Sequence, residues 1–342
     1  MINVKDQNYN DLKYICDDFE KYLLFLKDTI KLPDYWNVND AFELEIKKSF
    51  IRGALRYSKK TNAIIQFIQS QIHELKLKNI NYITPIYPMV HLINDRVEGG
   101  GFHYDDEKNV NFYTFWFPMT DNKYSPISIF GYQNKLIDRF AKIIIKLKLP
   151  YIFKKKLYAS KGNFFLWDGK TIHAGNINNS ESMSCACQLK ITEKKYEYES
   201  SLNLNFPKEI DFDVIKQEDI LREFNLFYEF INLIYKNKSQ REELTVNFLK
   251  NTKRIKKYFS FSLSVLSQRI LTNKKYFKKI DDDFIRILDE LSLLTGAENL
   301  ISLKRLLRYF NGDKNKLLKN LEEKDFFNIS KKIQIYFSNH NV

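Results

Sequence analysis

A chain of 342 residues with 44% hydrophobic residues, 15% aromatics and a net charge of +13 can bury the core of one large or two ordinary domains, which excludes wholesale disorder. No apolar run approaches the ~18 residues that cross a bilayer, and the opening stretch Met1-Ile-Asn-Val-Lys-Asp-Gln-Asn is too polar for a secretory leader, so a cytoplasmic protein without a membrane span is expected. Three cysteines exclude a disulfide framework; Cys16 sits in a helical pattern, and Cys185 and Cys187 alternate on a strand, so all three read as buried structural thiols.

Residues 9–32 and 40–78 carry apolar positions at helical spacing: Leu12, Ile15, Phe19, Leu23 and Leu26, then Phe42, Ile46 and Phe50, and later Ile64, Ile68 and Ile72. Leu32-Pro-Asp separates the two stretches. From about 81 to 195 the runs shorten and fill with β-branched and aromatic residues, as in Tyr82-Ile-Thr-Pro-Ile-Tyr, Pro88-Met-Val-His-Leu-Ile, Val110-Asn-Phe-Tyr-Thr-Phe-Trp-Phe, Ile127-Ser-Ile-Phe, Gly162-Asn-Phe-Phe-Leu-Trp and Ser184-Cys-Ala-Cys-Gln-Leu-Lys-Ile. Short strands between turn signals predict an antiparallel sandwich or barrel. Seven of the 10 glycines (99, 100, 101, 131, 162, 169 and 175) lie in this β region, where tight turns need them. Beyond about 207 the helical spacing returns over 211–235, 242–267, 281–294, 297–309 and 314–336, with Gly296 and Gly312 where helices would stop. The expected fold class is α+β. A first domain spans 1–205, with helices over 1–80 and a β core over 81–195. A helical C-terminal domain or extension spans 206–342.

The chemistry concentrates in His103-Tyr-Asp105 and in His173 of Trp-Asp-Gly-Lys-Thr-Ile-His-Ala-Gly. Two neutral imidazoles and one carboxylate on one face of an iron(II) ion leave its opposite face open, the arrangement of non-haem iron oxygenases. Positions i and i+2 of an extended segment point the same way, so His103 and Asp105 can share a face. The second histidine must then come from another strand. A His-x-Asp alone arises easily by chance in a chain with five histidines. His73, on a helix, and His340, near the tail, read as ordinary surface or structural residues, and His91 is a weaker alternative ligand.

The flanks add weight. Val110-Asn-Phe-Tyr-Thr-Phe-Trp-Phe-Pro-Met-Thr followed by Asp121 resembles the strand and turn that follow the His-x-Asp in the phytanoyl-CoA dioxygenase family. Ser125-Pro-Ile-Ser-Ile-Phe-Gly-Tyr is similar to that family's next strand, and Gly162-Asn-Phe-Phe-Leu-Trp-Asp-Gly-Lys-Thr-Ile-His-Ala-Gly to its approach to the distal histidine. Asn178-Asn-Ser180 falls where the family has Asn-x-Ser. The resemblance spans roughly residues 80–195. It implies a double-stranded β-helix, a jelly-roll relative of the cupins. It also implies oxidative decarboxylation of 2-oxoglutarate coupled to hydroxylation of an unactivated carbon, with iron held by His103, Asp105 and His173. Retention of Asp105 argues against the halogenases of the superfamily, which replace that carboxylate by a small residue.

One departure separates metal from co-substrate. The family carries an arginine about eleven residues after the distal histidine, where it pairs with the far carboxylate of 2-oxoglutarate. Here that position is Ser184, and no arginine lies between His173 and Arg222. A bidentate guanidinium is not replaced without consequence. Alternation puts Gln188 and Lys190 on the face of Ser184, but six residues of strand place Lys190 roughly 20 Å from it. Arg96, just before the glycines, is another candidate. Asn111, Tyr113 and Trp116 are candidate lining residues, of which alternation must turn some away from the cavity.

The basic surplus is local. From 245 to 280 there is no Asp or Glu, yet Lys250, Lys253, Arg254, Lys256, Lys257, Arg269, Lys274, Lys275, Lys278 and Lys279 all occur. This stretch reads either as a surface for an anionic partner or as a solvated helical face, with Phe248, Tyr258, Phe259, Phe261, Tyr276 and Phe277 as its apolar side. No nucleic-acid motif accompanies the charge, so nucleic acid is not expected. The expected function is an iron(II)- and 2-oxoglutarate-dependent oxygenase acting on a small or carrier-linked metabolite. The alternatives are a non-catalytic jelly-roll scaffold with a basic helical surface, and a cupin-type metal enzyme that does not use 2-oxoglutarate.

Overall fold

Strands buried along nearly their whole length build the β core of the chain. The computed structural model describes residues 9–77, 79–95, 101–105, 112–121, 127–131, 135–158, 160–193, 202–203, 215–251, 257–294, 300–323 and 327–340. Arg96 and Asn111 lie outside these residues. The chain divides into two compact units: Met1–Leu44 with Ala54–Val214, and Glu45–Gly53 with Ile215–Val342.

In the first unit, β8 (Ser184–Thr192) is the central strand of a six-stranded antiparallel sheet. On one flank it pairs with β3 (Phe112–Pro118), which in turn pairs with β6 (Phe165–Asp168). On the other flank it pairs with β2 (Tyr87–His91) and β1 (Tyr82–Ile83), and β1 carries β9 (Leu202–Asn203). A second antiparallel sheet has the order β5 (Lys154–Leu157), β4 (Ile127–Phe130), β7 (His173–Gly175). Trp116, Phe165, Trp167 and Ala186 of the large sheet share one buried cluster with Ile127, Ile129 and Leu157 of the small one. The two sheets therefore face each other across a common apolar core, as in a sandwich.

The opposite face of the large sheet is also covered, which explains its near-continuous apolar strands. α1 (Asn10–Thr29) and α3 (Lys60–Glu74) lie against it: Phe67 and Tyr9 pack on Phe164, Phe164 packs on Phe115, and the Cys16 thiol donates to Pro118 O at 3.3 Å. Cys185 and Cys187 are buried, and burial raises the Cys16 thiol to about 12 and Cys187 well above its ordinary value. These are packing groups rather than reactive thiolates.

Residues 135–152 depart from the expected all-β reading. They form α4 (Lys135–Lys146) and the short α5 (Leu149–Ile152), ahead of the unforeseen strand β5. Ile137, Ala141, Ile144 and Ile145 of α4 pack with Phe102, Phe130, Ile172 and Ala174, covering the outer face of the small sheet. The helical spacing over 40–78 is realised as two helices, α2 (Ala41–Arg56) and α3, broken at Tyr57-Ser-Lys.

The second unit is helical: α6 (Ile220–Lys236), α7 (Arg241–Asn251), α8 (Lys257–Thr272), α9 (Asp282–Leu294), α10 (Leu300–Tyr309), α11 (Lys314–Glu323) and α12 (Phe327–His340). The 45–53 segment of α2 belongs to it. There Phe50 packs on Phe224 and Tyr258, and a Cβ on Gly53 would come within 2.2 Å of Ser262 Oγ and 2.5 Å of Tyr258 O. Gly53 thus permits a close helix approach that no other residue allows. Residues 258–267 of α8 are buried, including Tyr258, Phe259 and Phe261. Much of the 245–280 stretch is accordingly core. Of its ten basic side chains, Lys274 is ion-paired with Asp282, and those of Lys250, Lys253, Arg254, Lys256 and Lys257 lie outside the described residues. Among the described residues no helix is long and apolar enough to cross a membrane.

Candidate metal centre

The site begins with a turn. Asp168, at the end of β6, accepts from Lys170 N–H and from the Thr171 hydroxyl through Oδ1, both at 3.1 Å, and Thr171 N–H donates to Asp168 O. An Asp that binds backbone two residues on is a turn former. It reverses the chain so that β7 enters the small sheet with His173 first. His173 then pairs with Ile129 on one side and His103 on the other. The pairing with His103 is reciprocal, with N–H···O distances of 2.9 and 2.8 Å.

Alternation sorts the neighbours. Phe102 and Tyr104 join the outer cluster against α4, as does Ala174. His103, Asp105 and His173 therefore turn to the inner side, toward the large sheet. Their candidate ligand atoms all lie within 4.8 Å of one another, so these three residues form a group able to hold a metal ion. The two imidazole rings are 4.5 Å apart between centroids, and His173 Nε2 lies 3.9 Å from Asp105 Oδ2.

Each histidine is held in the tautomer a metal needs. Nδ1 of His103 lies 2.9 Å from Gly101 O, and Nδ1 of His173 lies 2.9 Å from Thr171 O. A carbonyl oxygen only accepts, so each Nδ1 carries a proton, the tautomer that in a neutral imidazole leaves the Nε2 lone pair free. Burial pushes the pKa of His173 down to about 4 despite the neighbouring Asp105 carboxylate, so the ring is neutral at pH 7. For Asp105, burial by itself would raise the pKa. Lys190, the two histidines and the Thr114 hydroxyl outweigh it and hold the carboxyl below its ordinary value.

The floor of the site is one row of residues across three strands. Thr114 of β3 is the register partner of Trp167 on β6 and of Lys190 on β8. Thr114 Oγ1 donates to Asp105 Oδ2 at 3.3 Å, and Lys190 Nζ lies 3.9 Å from Asp105 Oδ1. The Trp167 ring lies 5.1 Å from that of His173, and its buried Nε1 has no hydrogen-bond partner among the described residues. Lys190 is held in turn by Thr84: its N–H donates to Thr84 Oγ1 at 2.9 Å, and Thr84 N–H donates to its carbonyl at 2.8 Å.

Several sequence expectations change here. Ser184 is buried at the far end of β8 opposite His91, six residues from Lys190, and is not part of the group around Asp105. Lys190, expected as a distant substitute for the missing arginine, stands beside a candidate metal ligand instead. Tyr113 alternates with Thr114 and shares the face of Phe115, turned away from Asp105, so Thr114 takes the lining position proposed for Tyr113. Trp116 is on the inner face but stacked on Phe165 in the core between the sheets, with centroids 5.7 Å apart. His91 is buried on β2, apart from the three grouped residues. Asn178, fully buried, accepts from Ser180 N–H and Oγ and donates to His91 O and Ser182 O. That Asn-x-Ser motif therefore acts as a structural staple. Thr114 and Trp167 were missed as site residues. Period-2 alternation groups Thr114 with Trp116, but only the tertiary position of Asp105 shows which face matters.

No family model matches the chain, and no curated protein does. Among solved structures, one described as "Non-heme monooxygenase, ThoJ-Ni complex" is similar over 63% of this chain and 87% of its own, at 8% identity and a TM-score of 0.36. A likeness of that extent carries no argument about fold or activity. The resemblance to phytanoyl-CoA dioxygenases rests on sequence motifs alone.

Proposed function

We propose that this chain is a non-haem iron(II) oxygenase with a double-stranded β-helix core, in which His103, Asp105 and His173 hold the metal. The observation that carries this reading is the convergence of two imidazoles, both with Nε2 lone pairs free, on one carboxylate within 4.8 Å. Neutral nitrogen donors with one anionic oxygen fit iron(II) and leave positions for other ligands. Iron bound there would supply oxygen activation. The protein's own residues do the rest. Carbonyls of Gly101 and Thr171 fix the ring tautomers, Thr114 orients Asp105, and the core between the sheets excludes water from the His173 side. His103 is exposed, so substrate approach is assigned to its side.

In this reading the co-substrate is 2-oxoglutarate and the substrate is a small or carrier-linked metabolite that becomes hydroxylated. Charge supports the choice: iron(II), Asp105 and Lys190 sum to two positive charges, which a dianionic oxo-acid neutralises. Lys190 then takes the electrostatic part of the arginine absent at position 184, as a point charge rather than a fork. The second unit is proposed as a helical domain appended to this oxygenase core.

Anaerobic iron titration with 2-oxoglutarate tests the reading. A weak visible charge-transfer band and succinate formation on exposure to oxygen are expected. Iron binding without a response to 2-oxoglutarate assigns the site to an oxygenase of another type. Failure to bind iron leaves only a scaffold role. Asp105→Ala is expected to abolish iron retention while the protein stays folded; wild-type iron content in that variant would refute the ligand assignment.

A further inference from the structure

The surface formed by α4, α5 and β5 is unusual in both halves of its chemistry. The buried side of α4 is accounted for by Ile137, Ala141, Ile144 and Ile145 against the small sheet. Yet Leu136, Phe140, Ile143 and Leu147, spaced i, i+4, i+7 and i+11, are 64%, 51%, 53% and 63% exposed. That spacing puts them in one stripe along the outside of the helix. Ile152, on the next helix α5, is 71% exposed as well. Single exposed apolar residues need no explanation, but a contiguous stripe marks an interaction surface.

Beside the stripe the surface is basic. Arg139, Lys142 and Lys146 share the adjoining side of α4, and Lys154 and Lys156 of β5 alternate onto the α4 side of the small sheet while Lys155 turns to the other; all six are exposed. Between Arg139 and Trp167 the sequence contains no Asp or Glu. None of these six takes part in an ion pair among the described residues, whereas Lys161 just beyond them is bound by Asp17 and Glu20.

Three occupants can be compared on charge and shape. A second copy would bring the same cations against themselves, which like-charge repulsion opposes. A protein adding a strand at β5, the end strand of its sheet, meets three consecutive lysines, the usual defence of such an edge. A lipid surface meets neither obstacle. A stripe of Leu, Phe and Ile enters the acyl boundary of a fluid bilayer while flanking cations meet anionic headgroups.

We propose that the α4–α5–β5 face docks the protein peripherally on an anionic membrane surface. The face adjoins the candidate metal centre: Tyr151 of α5 packs edge-on against Phe102, the residue before His103, with ring centroids 5.0 Å apart. The docking does not depend on the oxygenase reading.

Co-sedimentation of the full chain with vesicles tests it, using phosphatidylcholine alone and phosphatidylcholine with phosphatidylserine in equal parts. Binding to the acidic vesicles is expected, at least roughly tenfold stronger than to neutral ones and weakened by salt. Phe140→Glu with Ile143→Glu is expected to abolish binding. These positions are exposed, and an unchanged circular dichroism melt confirms that the variant is folded. Lys154→Gln, Lys155→Gln and Lys156→Gln together are expected to remove the preference for acidic vesicles. Asp105→Ala is expected to sediment as wild type does, which separates docking from metal chemistry. Equal binding to both vesicle types, no binding to either, or a Phe140/Ile143 variant that still sediments would each overturn the proposal. A concentration-dependent dimer, lost in that variant and accompanied by no vesicle binding, would instead make the face an interface between copies.

Discussion

At the scale of single residues, the candidate site depends on groups that never touch a metal. Thr114 donates at 3.3 Å to the Asp105 oxygen that lies 3.9 Å from His173 Nε2. Removing such an outer partner lowers metal affinity by about 10–100-fold in comparable sites. Thr114→Val keeps the shape and deletes the donor, so weaker iron binding in an anaerobic titration is expected with an unchanged fold. Lys190→Met removes the cation 3.9 Å from Asp105. It is expected to weaken 2-oxoglutarate, read from the charge-transfer band, more than it weakens iron. A variant that binds the oxo-acid as tightly as wild type would free Lys190 from that role. The sequence identified Lys190 by its charge and its face. The strand register that sets it opposite Thr114, and so beneath Asp105, came only from the folded sheet.

Elements show the same division. The return of helical spacing after the β region is plain in the sequence, but helix contact is not. Gly53 reads as an isolated glycine in a helix, which ordinarily costs about 1 kcal/mol against alanine. Here a Cβ would strike Ser262 Oγ and the backbone oxygen of Tyr258. Gly53→Ala is therefore expected to destabilise by roughly 1–3 kcal/mol in urea denaturation despite its better helix propensity. Ser262→Ala in the same chain should restore part of the loss, since it clears the hydroxyl but not the carbonyl.

Asp281 starts α9 by accepting from Phe284 N–H at 2.9 Å, and it binds the buried Arg241 at 2.6 Å. Partial burial opposes its charge, but Arg241, the Phe284 N–H and Lys238 prevail and lower its pKa from 3.8 to about 2. The folded state thus binds a proton here less readily than the unfolded chain does. The stabilisation is complete above about pH 4 and is lost as pH falls toward about 2. Asp281→Asn should lower the melting temperature at pH 7 and flatten the dependence on pH below 4. An acid limb as steep as that of wild type would show that other carboxylates carry it.

At the scale of the whole molecule, the three tryptophans, Trp36, Trp116 and Trp167, all fall in the unit that contains the candidate metal centre. Tryptophan fluorescence therefore reports on that unit alone. A ligand that binds only the native state stabilises it by about 2.7 kcal/mol at roughly a hundredfold excess over its Kd. Anaerobic iron(II) is expected to raise the fluorescence-detected melting temperature of wild type and not of Asp105→Ala. An equal rise in both would mean that iron binds elsewhere.

The sequence by itself determined the kinds of element and the pair His103 and Asp105. Period-2 alternation is a local property, and it puts residues i and i+2 on one face wherever the strand lies. It also marked His173 as the third group, because the second imidazole must come from another strand and the segment before it resembles the approach to a distal histidine. It did not disclose α4 within the β region, because the run Ile143-Ile-Ile has the β-branched character of a strand and the helix is apolar on two sides. Nor did it show that 45–53 of α2 belongs with the C-terminal helices. Tertiary structure alone decided which strands became neighbours. Register is set by pairing across long separations, so only the fold could bring Thr114, Trp167 and Lys190 into one row beneath the site and leave Ser184 at the other end of its strand.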